Sequence, residues 1–198
     1  MKTRKILALS MAVATVATVS TAAFAAELTP SSQTGNTEVT ANIQDPGAVN
    51  YTITIPDKVD FGTLTQPETD TDSFKDVNFT VTATKIENLS DNNRVAVAVK
   101  DKDATVDDDQ FYITQKTSPN TKLMYYVYDI AEIGEGDTHL AEGEMGNDGY
   151  DLAYFKNQGQ SVTGTIRLNQ KQLYGKDISE IAGDYSGTMV FTSSILTL

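Results

Sequence analysis

A single histidine, His139, limits the catalysis that this 198-residue chain can perform. A Ser-His-Asp centre needs that histidine beside a nucleophile. The nearest approach to a nucleophile elbow is Gly159-Gln160-Ser161-Val162-Thr163, where Thr163 stands in place of the second glycine and no strand-turn-helix context surrounds it. A zinc site built on histidine or cysteine needs more ligands than one histidine and no cysteine provide. Paired carboxylates of the glycosidase type are unavoidable among 27 acidic residues and therefore carry no information. The sequence reads as a non-enzyme, with His139 a surface residue.

Three other constellations have a chemical reading. The stretch Asp101-Lys102-Asp103-Ala104-Thr105-Val106-Asp107-Asp108-Asp109 sets carboxylates at alternate positions. Asp101, Asp103, Asp107 and Asp109 are thus candidate calcium ligands, since that ion takes six to eight oxygens. The EF-hand pattern is not met, because Val106 occupies the glycine position and Tyr112 the position of the bidentate glutamate. The alternative is a solvated loop between two strands. No other cofactor is expected. Lys58, Lys85 or Lys100 with Asn169 would suit an intramolecular isopeptide bond if they were buried together, against the alternative of surface lysines whose stems lie along the protein. Tyr125, Tyr126, Tyr128, Tyr150 and Tyr154 form an aromatic group that could stack on sugars, or else pack the interior. Tyr126 and Tyr128 share one strand face and Tyr125 points to the other.

These residues are carried by an exported chain. Met1-Lys2-Thr3-Arg4-Lys5 is a basic start, Ile6 to Val19 is apolar, and Ala23 and Ala25 form an A-x-A cleavage site. Residues 1–25 therefore read as a secretory signal peptide. The net charge is −12, and loss of Lys2, Arg4 and Lys5 with the signal leaves −15 on the mature chain. Such a charge repels nucleic-acid phosphates and anionic lipid head groups, and no second apolar stretch approaches the ~18 residues of a membrane span, so neither nucleic acid nor membrane insertion is expected. No sorting signal closes the sequence, so surface attachment is expected to be non-covalent or through assembly. Without cysteine, the fold must be stabilised by its core and its backbone hydrogen bonds.

The elements that position all this have a period of two. Residues 26–36 are polar and read as a flexible leader, and residues 37–198 as one domain. Strands are expected over Thr37–Ile43, Tyr51–Ile55, Val59–Leu64, Val77–Ala83, Val95–Val99, Gln110–Gln115, Leu123–Ile130, Thr138–Met145, Tyr150–Phe155, Ser161–Leu168 and Tyr185–Leu196, with Asn147-Asp148-Gly149 as a hairpin turn. Only Gln170 to Ile181 has room for a short helix. About ten short strands without helical crossovers predict an all-β, antiparallel sandwich.

Ala182-Gly183-Asp184-Tyr185-Ser186-Gly187-Thr188-Met189-Val190-Phe191 resembles the closing strand of bacterial pilin subunits and related secreted sandwiches. Thr37 to Ile43, then Ile55-Pro56 and Asp60-Phe61-Gly62, are similar to their opening strands and to those of Gram-positive surface proteins. The likeness covers about forty residues at the two ends of the chain. It implies an Ig-like fold and polymerisation by β-strand addition, in which one subunit's segment completes another's sheet. On that reading the edges are Val39, Ala41 and Ile43 in the donated segment, and Tyr185, Met189 and Phe191 at the closing strand. The chain departs from chaperone-assembled pilins in lacking a cysteine pair. The expected role is a structural or adhesive surface protein that self-associates or joins sibling subunits at the cell surface. The alternative is a secreted module that binds host or cell-wall glycans through exposed tyrosines.

Overall fold

A computed structural model describes residues 47–198. The signal peptide, the leader and the Thr37–Ile43 strand lie outside the described residues. Among the described residues there are nine strands: β1 (Asn50–Thr54), β2 (Phe74–Glu87), β3 (Asn93–Asp101), β4 (Phe111–Gln115), β5 (Lys122–Tyr128), β6 (Tyr150–Phe155), β7 (Ser161–Asn169), β8 (Tyr185–Ser186) and β9 (Met189–Thr197). They form two antiparallel sheets, a six-stranded one ordered β1-β2-β7-β5-β4-β8 and a three-stranded one ordered β6-β3-β9. The fold is an Ig-like antiparallel β-sandwich.

Alternation builds the core. Val95, Val97 and Val99 of β3 point inward and are at most 1% exposed, facing Phe79, Val81 and Ala83 of β2 and Leu123, Tyr125 and Val127 of β5. The β3 alanines on the opposite face, Ala96 and Ala98, are also buried, because their side chains are too short to rise above their neighbours. Aromatic rings lock the sheets together. Phe79 of β2 meets Phe191 of β9 edge-on at 6.2 Å between centroids, and Phe111 of β4 meets Tyr150 of β6 at 6.1 Å. A bulge inserts Leu152 between the paired residues of β6, so Leu152 and Ala153 are both buried although adjacent. Gly164 on β7 is a packing requirement, since a Cβ there would lie 2.6 Å from the Phe79 ring and from the Tyr128 carbonyl.

Three expected strands take other forms. Residues 59–64 make no ladder among the described residues, because after Thr54 the chain leaves β2, whose next partner is β7. Residues 138–145 form only a 3-10 turn, Leu140–Glu142, and the hairpin turn at Asn147-Asp148 closes on the single bridge between Gly146 and Gly149. The expected closing strand is divided into β8 and β9, which belong to different sheets. The helical stretch is a 3-10 turn, Gln170–Leu173, and one α-turn, α1 (Ile178–Ile181), whose buried Leu173 and Ile181 cap one end of the core.

Phe111 touches Tyr125 within its own sheet and Tyr150 across the interface and is 1% exposed. Phe111→Ala is expected to lower unfolding free energy by about 3–5 kcal/mol in urea melts, the cost of a large aromatic cavity.

Candidate functional site: an open edge and its groove

The division of the closing strand creates the site. The chain runs through β8, which pairs with β4 at Thr114↔Ser186 and Gln115↔Tyr185, then crosses to the other sheet as β9 beside β3. The crossing occurs at Gly187, which lies against the Tyr112 carbonyl with no space for a Cβ. A side chain there would push the chain off β4 before it could change sheets. Upstream, the buried Gln115 amide donates to the carbonyls of Glu180 (3.0 Å) and Ala182 (2.9 Å), and the Tyr185 hydroxyl donates to the Ile181 carbonyl (2.8 Å). Those bonds fasten the approach to the crossing.

Beyond the crossing, β9 is an edge strand of nine residues. The Thr188 carbonyl accepts from the Lys102 N–H, and the Leu198 N–H donates to the Asn92 carbonyl. Both are even-numbered, and the β3–β9 register runs unbroken between them. The N–H and C=O groups of the odd-numbered residues from Met189 to Thr197 therefore point away from β3, along the free edge. The side chains of those same residues turn inward, since Phe191, Ser193 and Ile195 stand opposite the buried Val99, Val97 and Val95. Their cover is incomplete: Phe191 is only part-buried, and Ile195 is 43% exposed.

Facing β9 is a strap, residues 56–64. Pro56, Val59, Phe61 and Leu64 turn toward the core, and Phe61 packs edge-on against Tyr125 at 5.8 Å. No residue of the strap makes a backbone–backbone hydrogen bond among the described residues. Its one satisfied amide, Gly62, donates to the Asp60 carboxylate, which also accepts from Lys58. Those two partners hold the Asp60 carboxyl below the usual carboxylate range, the Lys58 bond being the larger cause. Just past the strap, the Thr65 N–H donates to Gln170 Oε1, and Gln66 Nε2 donates to the carbonyls of Leu173 and Lys176. The strap is thus held at both ends and bare between. Between it and the Gly183–Met189 stretch lies a groove of about 940 Å³, floored by Leu123, Tyr125, Ile166 and Leu173.

The predicted site residues are distributed as follows. Met189 and Phe191 line the groove on β9. Tyr185 lines it as well, but on β8, and it pairs within the six-stranded sheet. Val39, Ala41 and Ile43 lie outside the described residues. Of the four candidate calcium ligands, Asp101 turns inward, its carboxylate accepting from the Asp103 N–H (2.8 Å) and the Tyr112 N–H (3.0 Å) and so tying β3 to β4 across the sandwich. Asp109 accepts from the Gln110 amide, while Asp103 and Asp107 are exposed. Among the described residues no cluster of three or more histidine, cysteine, aspartate or glutamate side chains is arranged to hold a metal ion.

The lysines meant for Asn169 go elsewhere. Lys58 pairs with Asp60, Lys85 with Glu87, and Lys100 donates to the Asn147 carbonyl, while the Asn169 amide donates to Asp72. The Ser161 hydroxyl is bonded to Thr82, not to His139. Of the tyrosines, Tyr125 and Tyr150 are core and Tyr128 is buried. The Tyr150 hydroxyl is buried and makes no well-formed hydrogen bond; burial raises its pKa most, and the nearby Asp109 carboxylate adds to the rise. Tyr154 alone of the group is half-exposed, and its hydroxyl is committed to Asp151 at 2.6 Å, which with burial pushes its pKa up to about 12.

His139 is not a surface residue. Its ring stacks on Tyr126 at 4.1 Å between centroids, meets Tyr128 edge-on, and leaves its side chain 16% exposed. Nε2 lies 3.4 Å from Glu142, and the buried Nδ1 has no partner. The misreading has a clear cause: the polar, glycine-rich sequence around it looks like an open loop, yet that loop folds back over β5. Sequence reasoning also missed Gln66, Gln115 and Asp101 as fasteners, since nothing in a lone polar residue announces a backbone partner 107, 65 or 11 positions away.

No protein-family model matches the chain, and no curated protein matches it. Among solved structures, a crystal structure of the P pilus rod subunit PapA is similar, with a TM-score of 0.41 and 13% identity, over 73% of this chain and 99% of that one. Among the described residues no helix is long and apolar enough to cross a membrane.

Burial lowers the His139 pKa more than Glu142 raises it, so the folded state prefers the neutral ring. Above the ordinary histidine pKa of about 6.5 both states are neutral there and stability is level. As pH falls through 6.5 the unfolded chain takes the proton first, and stability drops until the folded pKa is passed. Urea midpoints measured from pH 7.5 to 5 are expected to fall less steeply in His139→Gln than in the wild-type chain.

Proposed function

We propose that this protein is an exported structural subunit that assembles by β-strand addition, its groove receiving residues 37–43 of a second copy. The observation that carries the reading is the meeting of a nine-residue edge, β9, which has no second strand partner among the described residues, with a groove whose apolar floor is only partly covered. An edge of that length with free backbone groups is a template for another strand. Most soluble sandwiches shorten, charge or cover such an edge, and β9 has no charged residue over Met189–Thr197.

Residues 37–43 fit by pattern and by length. Val39, Ala41 and Ile43 alternate with Glu38, Thr40 and Asn42, so one face of that strand is apolar and the other polar. Seven residues extend about 23 Å, the span from Met189 to Ile195 on β9. Laying Val39 and Ile43 into the groove would contribute about 1.5–3 kcal/mol each by burial, in addition to the backbone ladder. Residues 44–49, which join the donated segment to β1, supply the reach between subunits. A cysteine-free subunit with a mature charge of −15 suits an extracellular fibre, soluble until its edges are matched. The location at a bacterial surface and the structural role follow from this assembly.

The test is assembly itself. The mature chain should form concentration-dependent multimers by light scattering and filaments by negative-stain microscopy. Ile43→Asp in the donated segment and Phe191→Asp in the groove should each abolish them, Ile43→Asp leaving the melting temperature of the domain unchanged. A mature chain that stays monomeric at high concentration, alone and with candidate sibling subunits, overturns the reading.

A further inference from the structure

We infer that residues 129–149, the connection between β5 and β6, form an acid-released flap that the neutral His139 ring latches over β5. The inference is independent of the strand-addition reading.

The first ground is how the flap is held. At one base the Thr165 hydroxyl donates to the carbonyls of Ile130 (2.7 Å) and Ala131 (3.1 Å), and at the other Lys100 Nζ donates to the Asn147 carbonyl (2.8 Å). Between those bases, no backbone–backbone hydrogen bond among the described residues ties residues 132–145 to either sheet. The backbone bonds donated by Asp137, Glu142 and Gly143 all close within the flap. Its grip on the body is side-chain packing: the His139 ring on Tyr126 and Tyr128, with Leu140, Ala141 and Met145 against the core. A segment so held opens locally, without unfolding the sheets. The second ground is charge. Residues 129–149 carry seven carboxylates and no lysine or arginine, and their mutual repulsion favours the open form.

The third ground is that the latch has no place for a second proton. With Nε2–H toward Glu142 at 3.4 Å, the neutral ring keeps its lone pair on Nδ1. A proton added there becomes a buried donor without an acceptor. Glu142 is 53% exposed, so water screens its pull on the charged ring. The other groups around the latch give no relief. Burial raises the Tyr128 pKa, which keeps that ring neutral. Arg167 of β7, 6.0 Å from the Tyr128 ring, is paired with Asp76 of β2, and Asp151 of β6 accepts from Tyr154. In the open flap His139 meets water and takes its proton near the ordinary pH of about 6.5. Acid therefore drives the flap open and uncovers Tyr126 and Tyr128, while the apolar contacts of Leu140, Ala141 and Met145 are indifferent to pH.

Amide hydrogen exchange followed by NMR on the mature full-length chain tests the latch. Each rate is divided by that amide's intrinsic rate, from pH 7.5 to 5.5, a range in which ordinary carboxylates stay ionised. Protection of the Glu142 and Gly143 amides should fall about three- to tenfold, the limit being about tenfold per pH unit below 6.5, while Val97 and Val127 hold constant. In His139→Phe, which keeps a ring to stack and cannot take a proton, protection should stay level. Level protection in the wild-type chain overturns the inference. So does an equal fall in His139→Phe, or an equal fall at Val97 and Val127, which would mark global opening. Should His139→Phe fail to fold, Glu142→Gln serves instead: it keeps the ring and removes the counter-charge, so the fall at Gly143 should be at least as steep, and a shallower one overturns the latch.

Discussion

Three strands cannot cover six. The smaller sheet, β6-β3-β9, spans only part of the inner face of the larger one, and that shortfall governs the rest of the molecule. Where the sheets overlap fully, around Val97, Phe111 and Phe155, side chains are essentially dry. Where β9 ends the smaller sheet, the apolar interior continues sideways under a strap that has side chains to cover it but no ladder to close it. The turn elements Leu173 and Ile181 seal one end of the core, and the free edge of β9 remains open. Burial and hydrogen bonding, which coincide elsewhere in the sandwich, part company here. The strap satisfies the first and, among the described residues, leaves the second unmet.

The polar fasteners are arranged around this opening. Gln115, Gln66 and Gln170 each use a side-chain amide to satisfy backbone groups that a regular strand would have paired. Asp101 does the same between β3 and β4. Because each accepts or donates to main chain, each fixes a chain path without needing a charged partner. On the far side of the large sheet, the exposed face carries Arg167 bidentate to Asp76, with its guanidinium over the Phe74 ring at 4.7 Å. That face is polar and internally paired, the ordinary treatment of a sheet surface in water. The contrast with bare β9 is what distinguishes the edge from the rest of the surface.

Much of the architecture was legible from residue alternation. Tyr51 to Ile55, Val77 to Ala83, Val95 to Val99, Tyr150 to Phe155 and Ser161 to Leu168 each announce a strand because one face must be buried, and each is one. The candidate site was legible in part. Met189 and Phe191 appeared as edge residues from the Gly-x-Tyr-x-Gly pattern, and they line the groove. The strap did not appear: Val59, Phe61 and Leu64 alternate like a strand, and only the departure of β2 toward β7 leaves them without a ladder. His139 went the other way, since a polar loop in sequence proved to be a covered one.

Sequence alone determined the set of buried faces, and with it the all-β class, because alternation is a local property of neighbouring residues. Tertiary structure alone decided which sheet each strand joined, where the closing strand crossed at Gly187, and which edge was left unpaired. Those outcomes depend on pairings between residues up to about a hundred positions apart, such as Phe74 with Asn169 and Asn93 with Thr197. A strand's own side chains specify that it must bury a face, but its backbone is equally ready to pair with any other strand, so partner and register are settled only when the whole core packs.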